Sequence, residues 1–279
     1  QGCGNDFVIL DYEEFQKMNC EMSDIAKKLC DRNFGIGADG LIIPNTQAED
    51  TDIGWFFYNS DGTTAQMCGN GMRCFAKYVY DKKLVDKKEF TVKTLAGIMT
   101  PQIMEDGQVR VNMSKPILES EKIPFLPNHN LNYQISVKNR IFEGNAISMG
   151  NPHFVIFIKD DEDLLSLAKE YGPEIELGAE FPEKTNVEFI KIKSYKKIQL
   201  CVWERGCGIT LACGTGACAS VVTGILNGYL ENSVDVELLG GVVNVTWNGT
   251  PNKPDGDAFL TGPAEYVFDL IFHNILLNH

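Results

Sequence analysis

No Cys-x-x-Cys pair, no basic stripe and no low-complexity segment occurs in this 279-residue chain. The first absence argues against a thiol–disulfide oxidoreductase. It also argues against the paired knuckles of structural zinc sites. Nine cysteines stand at positions 3, 20, 30, 68, 74, 201, 207, 213 and 218, an odd number with no small secreted framework around them. That usage fits a reducing, cytoplasmic setting. Cys207, Cys213 and Cys218 are close in sequence, but five and four residues separate them and no histidine is near, so we expect no metal. Lys and Arg number 25 against 38 Asp and Glu, a formal net charge of −13. Such a balance disfavours nucleic acid and anionic membrane as partners. The apolar tail from Val267 to Leu277 is interrupted by Asp269, His273 and Asn274 and is too short to span a bilayer, so a closing strand or helix is expected there. Gln1-Gly2-Cys3-Gly4 has neither a charged n-region nor an apolar h-region, so no signal peptide is expected, and we expect a few residues to precede Gln1.

What is present is duplicated. Cys68-Gly69-Asn70-Gly71 recurs 145 residues later as Cys213-Gly214-Thr215-Gly216, each ahead of a helical pattern. Gly4-Asn5-Asp6-Phe7-Val8-Ile9 is echoed by Gly150-Asn151-Pro152-His153-Phe154-Val155-Ile156, its glycines 146 apart. Thr94-Leu95-Ala96-Gly97 is answered by Leu238-Leu239-Gly240-Gly241, the glycines 144 apart. So constant an offset means few insertions and two halves of one fold. A period this long indicates two domains rather than a solenoid. With 44% hydrophobic and 23% charged residues, the chain is ample for two cores.

In the first half the pattern predicts strands over Phe7–Asp11, Leu41–Pro44 and Trp55–Tyr58, and a helix over Ser23–Arg32 capped by Ser23. Asn59-Ser60-Asp61-Gly62 reads as a turn. A buried helix follows Cys68 over Met72–Val79, then strands from Glu89 to Asn112 with a turn at Asp106-Gly107. Ser114-Lys115-Pro116 reads as the crossover, and the polar stretch to Asn132 as a connection with early strands. The second half repeats the order: strands over Phe154–Ile158, Val187–Ile192 and Ile198–Trp203, a helix over Gly216–Asn227, and strands from Val234 onward.

A glycine-flanked loop entering a helix presents free N–H groups and the positive end of the helix dipole. A cysteine there is expected to have a depressed pKa. The same N–H groups can hold a carboxylate and stabilise charge that builds on it when an α-proton leaves. Two such thiols suit a reaction in which one removes a proton and the other returns one to the opposite face, inverting a stereocentre without a cofactor. A disulfide between Cys68 and Cys213 is the competing use of the pair. The other seven cysteines read as inert small hydrophobes. Asn59 could be only a turn former, His153 a satisfied loop histidine, and Glu204-Arg205 a solvated pair. Glu204, however, precedes Cys213 by nine residues, as Asn59 precedes Cys68.

Over essentially its whole length the chain resembles the diaminopimelate epimerase family. The resemblance rests on Gly4-Asn5-Asp6-Phe7, Gly35 to Gly40, Asn59-Ser60-Asp61-Gly62, Met67 to Cys74, Met149-Gly150-Asn151-Pro152-His153, Thr185-Asn186-Val187-Glu188, Glu204-Arg205-Gly206 and Ala212 to Ala217. It implies an α/β (α+β) fold of two pseudo-symmetric domains, each a curved, mainly antiparallel sheet or barrel around a central helix. The expected domains are 1–117 with 263–279, carrying Cys68, and 118–262, carrying Cys213. It also implies a homodimer that needs no cofactor and epimerises LL-2,6-diaminopimelate to the meso form, in lysine and peptidoglycan precursor synthesis. Cys68 and Cys213 would be the acid–base pair, assisted by His153 and Glu204. Gly69, Asn70, Gly214 and Thr215 would surround the reacting carboxylate. Asn5, Asn59, Asn151, Asn186, Glu204 and Arg205 would hold the substrate, Arg205 as a fork for the distal carboxylate. At Gly40 some family members carry a Gln that contacts substrate; here no side chain is available. The alternatives are a proline or hydroxyproline racemase, against which Asn151, Asn186 and Arg205 argue, and a non-catalytic binding module, which would need neither thiol.

Overall fold

A computed structural model describes residues 1–18 and 20–271. The chain divides into two compact units, Gln1–Val111 with the return segment from Gly262, and Asn112–Thr261.

The first unit begins with β1 (Phe7–Ile9), α1 (Tyr12–Gln16), α2 (Met22–Cys30), β2 (Gly40–Asn45) and β3 (Ile53–Asn59). It continues with α3 (Gly69–Asp81), β4 (Val92–Thr94), β5 (Gly97–Met99), β6 (Gln102–Ile103) and β7 (Val109–Asn112). Strands β1 to β5 form one sheet in sequence order. β1 and β2 are parallel, with Phe7 opposite Gly40, and β2 and β3 antiparallel, with Leu41 opposite Tyr58. Leu41, Ile42 and Ile43 are buried without a break, as expected of a strand covered on both faces. On one side Ile25, Ala26 and Leu29 of α2 join Leu41 and Ile43 in the core. Met72, Phe75, Ala76 and Val79 of α3 are fully buried, at the i, i+3, i+4, i+7 spacing of one helix face.

The second unit holds β8 (Tyr133–Val137), β9 (Arg140–Ser148), β10 (Pro152–Phe157), α4 (Leu164–Glu176), β11 (Asn186–Ser194) and β12 (Lys197–Glu204). Then come β13 (Gly208–Ile209), α5 (Gly214–Leu226), β14 (Ser233–Leu238), β15 (Gly241–Trp247) and β16 (Ala258–Gly262). Its sheet runs β16-β15-β14-β12-β11-β10-β9-β8, with β13 on β12. The order is that of an open sheet, since among the described residues β8 pairs with β9 alone. Helix α5 is buried continuously from Gly216 to Ile225, so it is the central helix of this unit.

The duplication is metric as well as sequential. In the parallel pair β10–β11 His153 faces Asn186, which repeats the Phe7–Gly40 pairing at an offset of 146. Val187 faces Trp203 as Leu41 faces Tyr58. The hairpin ends coincide too, Thr94 with Gly97 and Leu238 with Gly241.

At three places the structure differs from the sequence reading. Ser23 does not cap α2, which starts at Met22 after Glu21; the Ser23 hydroxyl donates instead to the Gly62 carbonyl at 2.8 Å. Helix α4 lies where the sequence pattern assigns no element, capped by Asp163, whose carboxylate accepts from the Ser166 N–H. Gly172 and Pro173 disguise it in the sequence. Gly172 is required there because a Cβ would lie 2.6 Å from the Trp203 side chain. Third, Val267–Ile271 forms neither strand nor helix, and the remainder of the expected closing element lies outside the described residues.

Candidate active site

Each unit presents one half-site, built at the N-terminus of its main helix. Cys68 is the N-cap of α3 and Cys213 the N-cap of α5, both with extended backbone. In each, the sulfur occupies the position usual for a Ser or Asp oxygen. The Gly71 N–H donates to Cys68 Sγ at 3.4 Å and the Gly216 N–H to Cys213 Sγ at 3.3 Å. Neither helix carries an acidic residue in its first turn, so neither dipole is answered from within.

Around Cys68, the thiol donates to Asn5 Oδ1 at 3.5 Å, and Asn70 Nδ2 donates to the same oxygen at 3.2 Å. Asn5 is held by Asp39, whose carboxylate accepts from Asn5 Nδ2 at 2.5 Å. Asp39 is in turn paired with Arg32, which also grips Asp6 through both Nη atoms. Asn70 is held by the buried guanidinium of Arg73, which donates to Asn70 Oδ1 at 2.8 Å and to the Pro263 carbonyl at 3.1 Å. Asn59 ends β3 opposite Gly40 and donates to Thr63 Oγ1 at 3.0 Å. Gly69 is buried as the first residue of α3. The missing side chain at Gly40 has a local reason: a Cβ would meet the Tyr58 carbonyl at 2.7 Å and the Phe57 ring at 2.9 Å. A separate cavity of about 670 Å³ in this unit, among Val8, Leu10, Ile36, Tyr78, Tyr266 and Phe268, includes neither Cys68 nor Asn5.

Around Cys213 the shell includes a histidine and two carboxylates that bear on the thiol. Thr215 Oγ1 lies 3.5 Å from Cys213 Sγ and accepts from Asn151 Nδ2 at 3.4 Å. Asn151 Oδ1 lies 3.0 Å from His153 Nε2, and His153 Nδ1 lies 2.6 Å from Glu188 Oε1. Asn186 donates to the Pro152 carbonyl at 2.8 Å, and its Oδ1 accepts from the Arg205 N–H at 2.9 Å. The exposed Arg205 guanidinium donates to the Glu183 carbonyl at 3.0 Å. Gly214 opens α5. Burial pushes the Glu204 carboxyl above its ordinary range, against the short hydrogen bond from Thr210 and the neighbouring His153.

The expected depression of the thiol pKa is reversed at Cys213. Burial, then the nearby carboxylates of Glu204 and Glu188, push it well above 9.0, against the Thr215 hydroxyl and the Gly216 N–H. Desolvation and two carboxylates outweigh one helix terminus, whose effect is typically about 0.3–1 kcal/mol.

In the first unit Asn5, Cys68 and Asn70 form one hydrogen-bonded group, with Asn59 at the end of β3. In the second Cys213, Thr215, Asn151, His153 and Glu204 form another, adjoined by Asn186 and Arg205. Asp39, Arg73, Thr210 and Glu188 are participants to which motif reading gave no role, although all but Thr210 lie within its motifs. For Glu188 the signal was a carboxylate inside the apolar run Val187 to Ile192. Among the described residues no group of three or more His, Cys, Asp and Glu is disposed to hold a metal ion. No described helix is long and apolar enough to cross a membrane.

The fold of duplicated sheet and buried helix is shared with known proteins. A Bacillus anthracis protein of the PhzF phenazine biosynthesis family superposes with a TM-score of 0.62 at 17% identity, covering 98% of this chain and 95% of that one. A probable proline racemase from Agrobacterium radiobacter superposes at 0.63 with 16% identity, covering 91% and 82%. These likenesses show the fold alone. The family profile described as Diaminopimelate epimerase matches residues 1–119 and 145–267. Curated diaminopimelate epimerases from Desulfitobacterium hafniense and Synechocystis are 46% and 42% identical, covering 96% of this chain and 94% and 95% of theirs. The chain therefore belongs to the diaminopimelate epimerase family.

Proposed function

We propose that this protein interconverts LL- and meso-2,6-diaminopimelate without a cofactor, Cys68 and Cys213 acting on opposite faces of one α-carbon. The observation that carries the reading is the matched pair of cysteine N-caps, each sulfur taking an N–H from the third residue of its helix. One thiolate takes the α-proton, and the electron pair of the C–H bond passes into the adjoining carboxylate. The opposite thiol then gives its proton to the other face, leaving the first sulfur as thiol and the second as thiolate. The reverse reaction exchanges the roles.

The N-terminal peptides at Gly69, Asn70, Gly214 and Thr215 supply donors for the reacting carboxylate, where charge grows during the reaction. Asn5, Asn59, Asn151, Asn186, Glu204 and Arg205 bind the remaining polar groups, with Arg205 answering the distal carboxylate. His153 and Glu204 assist beside Cys213. The working domains in this reading are 1–117 with 263–279 and 118–262, in a cytoplasmic homodimer serving amino-acid biosynthesis. The names of the curated relatives favour this substrate over a cyclic imino acid, since the racemase likeness extends to the fold only.

Reduced protein incubated with LL-diaminopimelate and no cofactor should yield the meso isomer by chiral chromatography. Cys68→Ala and Cys213→Ala should each abolish it with an unchanged circular dichroism spectrum. Near-normal turnover by either variant, or turnover of proline in place of diaminopimelate, would overturn the reading.

A further inference from the structure

The two half-sites share a framework in which one pair of side chains differs in kind. In the first unit a Cβ on Gly71 would touch Phe7 Cζ and Ile42 Cδ1, each at 3.4 Å. In the second a Cβ on Gly216 would meet Glu188 Oε1 at 2.8 Å. At the offset of 146 fixed by strand register, Phe7 corresponds to His153 and Ile42 to Glu188. An apolar pair under one helix terminus is thus a carboxylate–imidazole pair under the other. Both side chains of the second pair are fully buried and 2.6 Å apart. The other carboxylate oxygen, Glu188 Oε2, is buried with no hydrogen-bond partner among the described residues.

Such a pair is a burden on stability. Burying a carboxylate is costly, and apolar side chains of similar volume usually do as well or better. The first unit contains that apolar solution at the equivalent place. The neighbours of Glu188 on β11, Val187, Phe189 and Ile190, are buried and apolar as well. What the carboxylate does instead is set by its two contacts. Through His153 it begins a chain that runs to Asn151, Thr215 and Cys213. Through Oε1 it lies against Gly216, whose N–H donates to Cys213.

We propose that Glu188 is a positioning residue that sets the orientation of His153 and, together with burial and Glu204, helps keep Cys213 protonated in the resting protein, so that the two thiols are inequivalent before substrate binds. The other charged group bearing on Cys213 is Glu204 of β12, which is half-buried. Helix α5 and strand β15 contain no charged residue. Elsewhere on the packed strands Arg140 pairs with Glu162, Lys191 and Lys193 reach Asp160, Lys197 pairs with Glu237, and Glu143 is exposed. The inference rests on Cys213 being one of the two acid–base groups, as proposed above. Its test needs no turnover.

The pH dependence of iodoacetamide alkylation should be followed by mass spectrometry at Cys68 and Cys213 separately, in the full-length wild-type protein and in Glu188→Gln. The Cys213 profile of E188Q should move down by about one pH unit, a tenfold gain in thiolate at fixed pH, while the Cys68 profile stays in place. The double variant His153→Phe with Glu188→Ile copies the first unit's own apolar pair, and serves if E188Q folds poorly. It should move the Cys213 profile the same way. A Cys213 profile that coincides with wild type in a folded variant, or equal movement at both cysteines, would overturn the proposal. If the proposed substrate were wrong, the profiles would still shift although diaminopimelate was not turned over.

Discussion

Asn5 shows how much one small side chain can organise. Its single Oδ1 accepts from both the Cys68 thiol and the Asn70 amide, while its Nδ2 is tied to Asp39. Removing it takes away the one oxygen that ties the thiol and the Asn70 amide together. Asn5→Ala should therefore lower kcat/KM for epimerisation about 100-fold, equivalent to about 2.7 kcal/mol of transition-state stabilisation, with little change in melting temperature. A loss below about threefold would mean that Asn5 does not organise the half-site. This residue was legible in the sequence, because Gly4-Asn5 repeats as Gly150-Asn151. Its supports were not. Asp39 and Arg73 sit 34 and 68 residues away in sequence from Asn5, and only the parallel β1–β2 register and the burial of α3 bring them to it. At Cys213 motif logic gave the wrong sign for the thiol, because helix-terminus reasoning is local whereas burial, the larger cause, and the opposing carboxylates both come from the strands packed around it.

At the scale of elements, the strands and both central helices could be read because their apolar runs are long and their offset is constant. Helix α4 could not. Its Gly172 and Pro173 look like a breaker pair, and the demand for glycine comes from Trp203 on β12, a residue 31 positions later. Here two effects compete at one site. Gly→Ala in a helix normally gains about 1 kcal/mol of propensity. A Cβ placed 2.6 Å from the Trp203 Cβ and Cγ forces helix and sheet apart, which typically costs about 1–3 kcal/mol. Overpacking should win, and Gly172→Ala should reduce stability by about 1 kcal/mol in urea unfolding. A stabilised variant would show that the α4–β12 contact yields more readily than the geometry indicates.

For the whole molecule, buried thiols tie stability to pH. Burial, first among the causes, raises Cys30 from an ordinary 9.0 to about 12 and Cys201 to about 11, and raises Cys213 well above 9.0 too. A thiol with a raised folded-state pKa contributes its full stability below its unfolded value, near 9. As pH rises from there toward the folded value the unfolded chain ionises first, and that contribution is lost. Urea midpoints measured under reducing conditions should accordingly hold level to about pH 8.5 and fall between about pH 9 and 11. A flat profile across that window would contradict the burial of these thiols. Duplication is also legible at this scale, since of three motif pairs with offsets of 144 to 146 two correspond to matched strand registers and the third to matched helix N-caps in the two units. The exchange of Phe7 and Ile42 for His153 and Glu188 becomes visible only once that register is known.

The central claim is that two thiols work on opposite faces of one carbon, and hydrogen isotope exchange tests it most directly. LL-diaminopimelate should be incubated with reduced protein in deuterium oxide and sampled at early times by proton NMR and mass spectrometry. Two opposed thiols predict that the meso product carries one deuterium at the inverted centre while recovered LL substrate keeps its α-proton, because the base returns the proton it took and only the opposite thiol delivers solvent deuterium. Deuterium appearing in recovered substrate as fast as in product would contradict the account and point to a single base serving both faces.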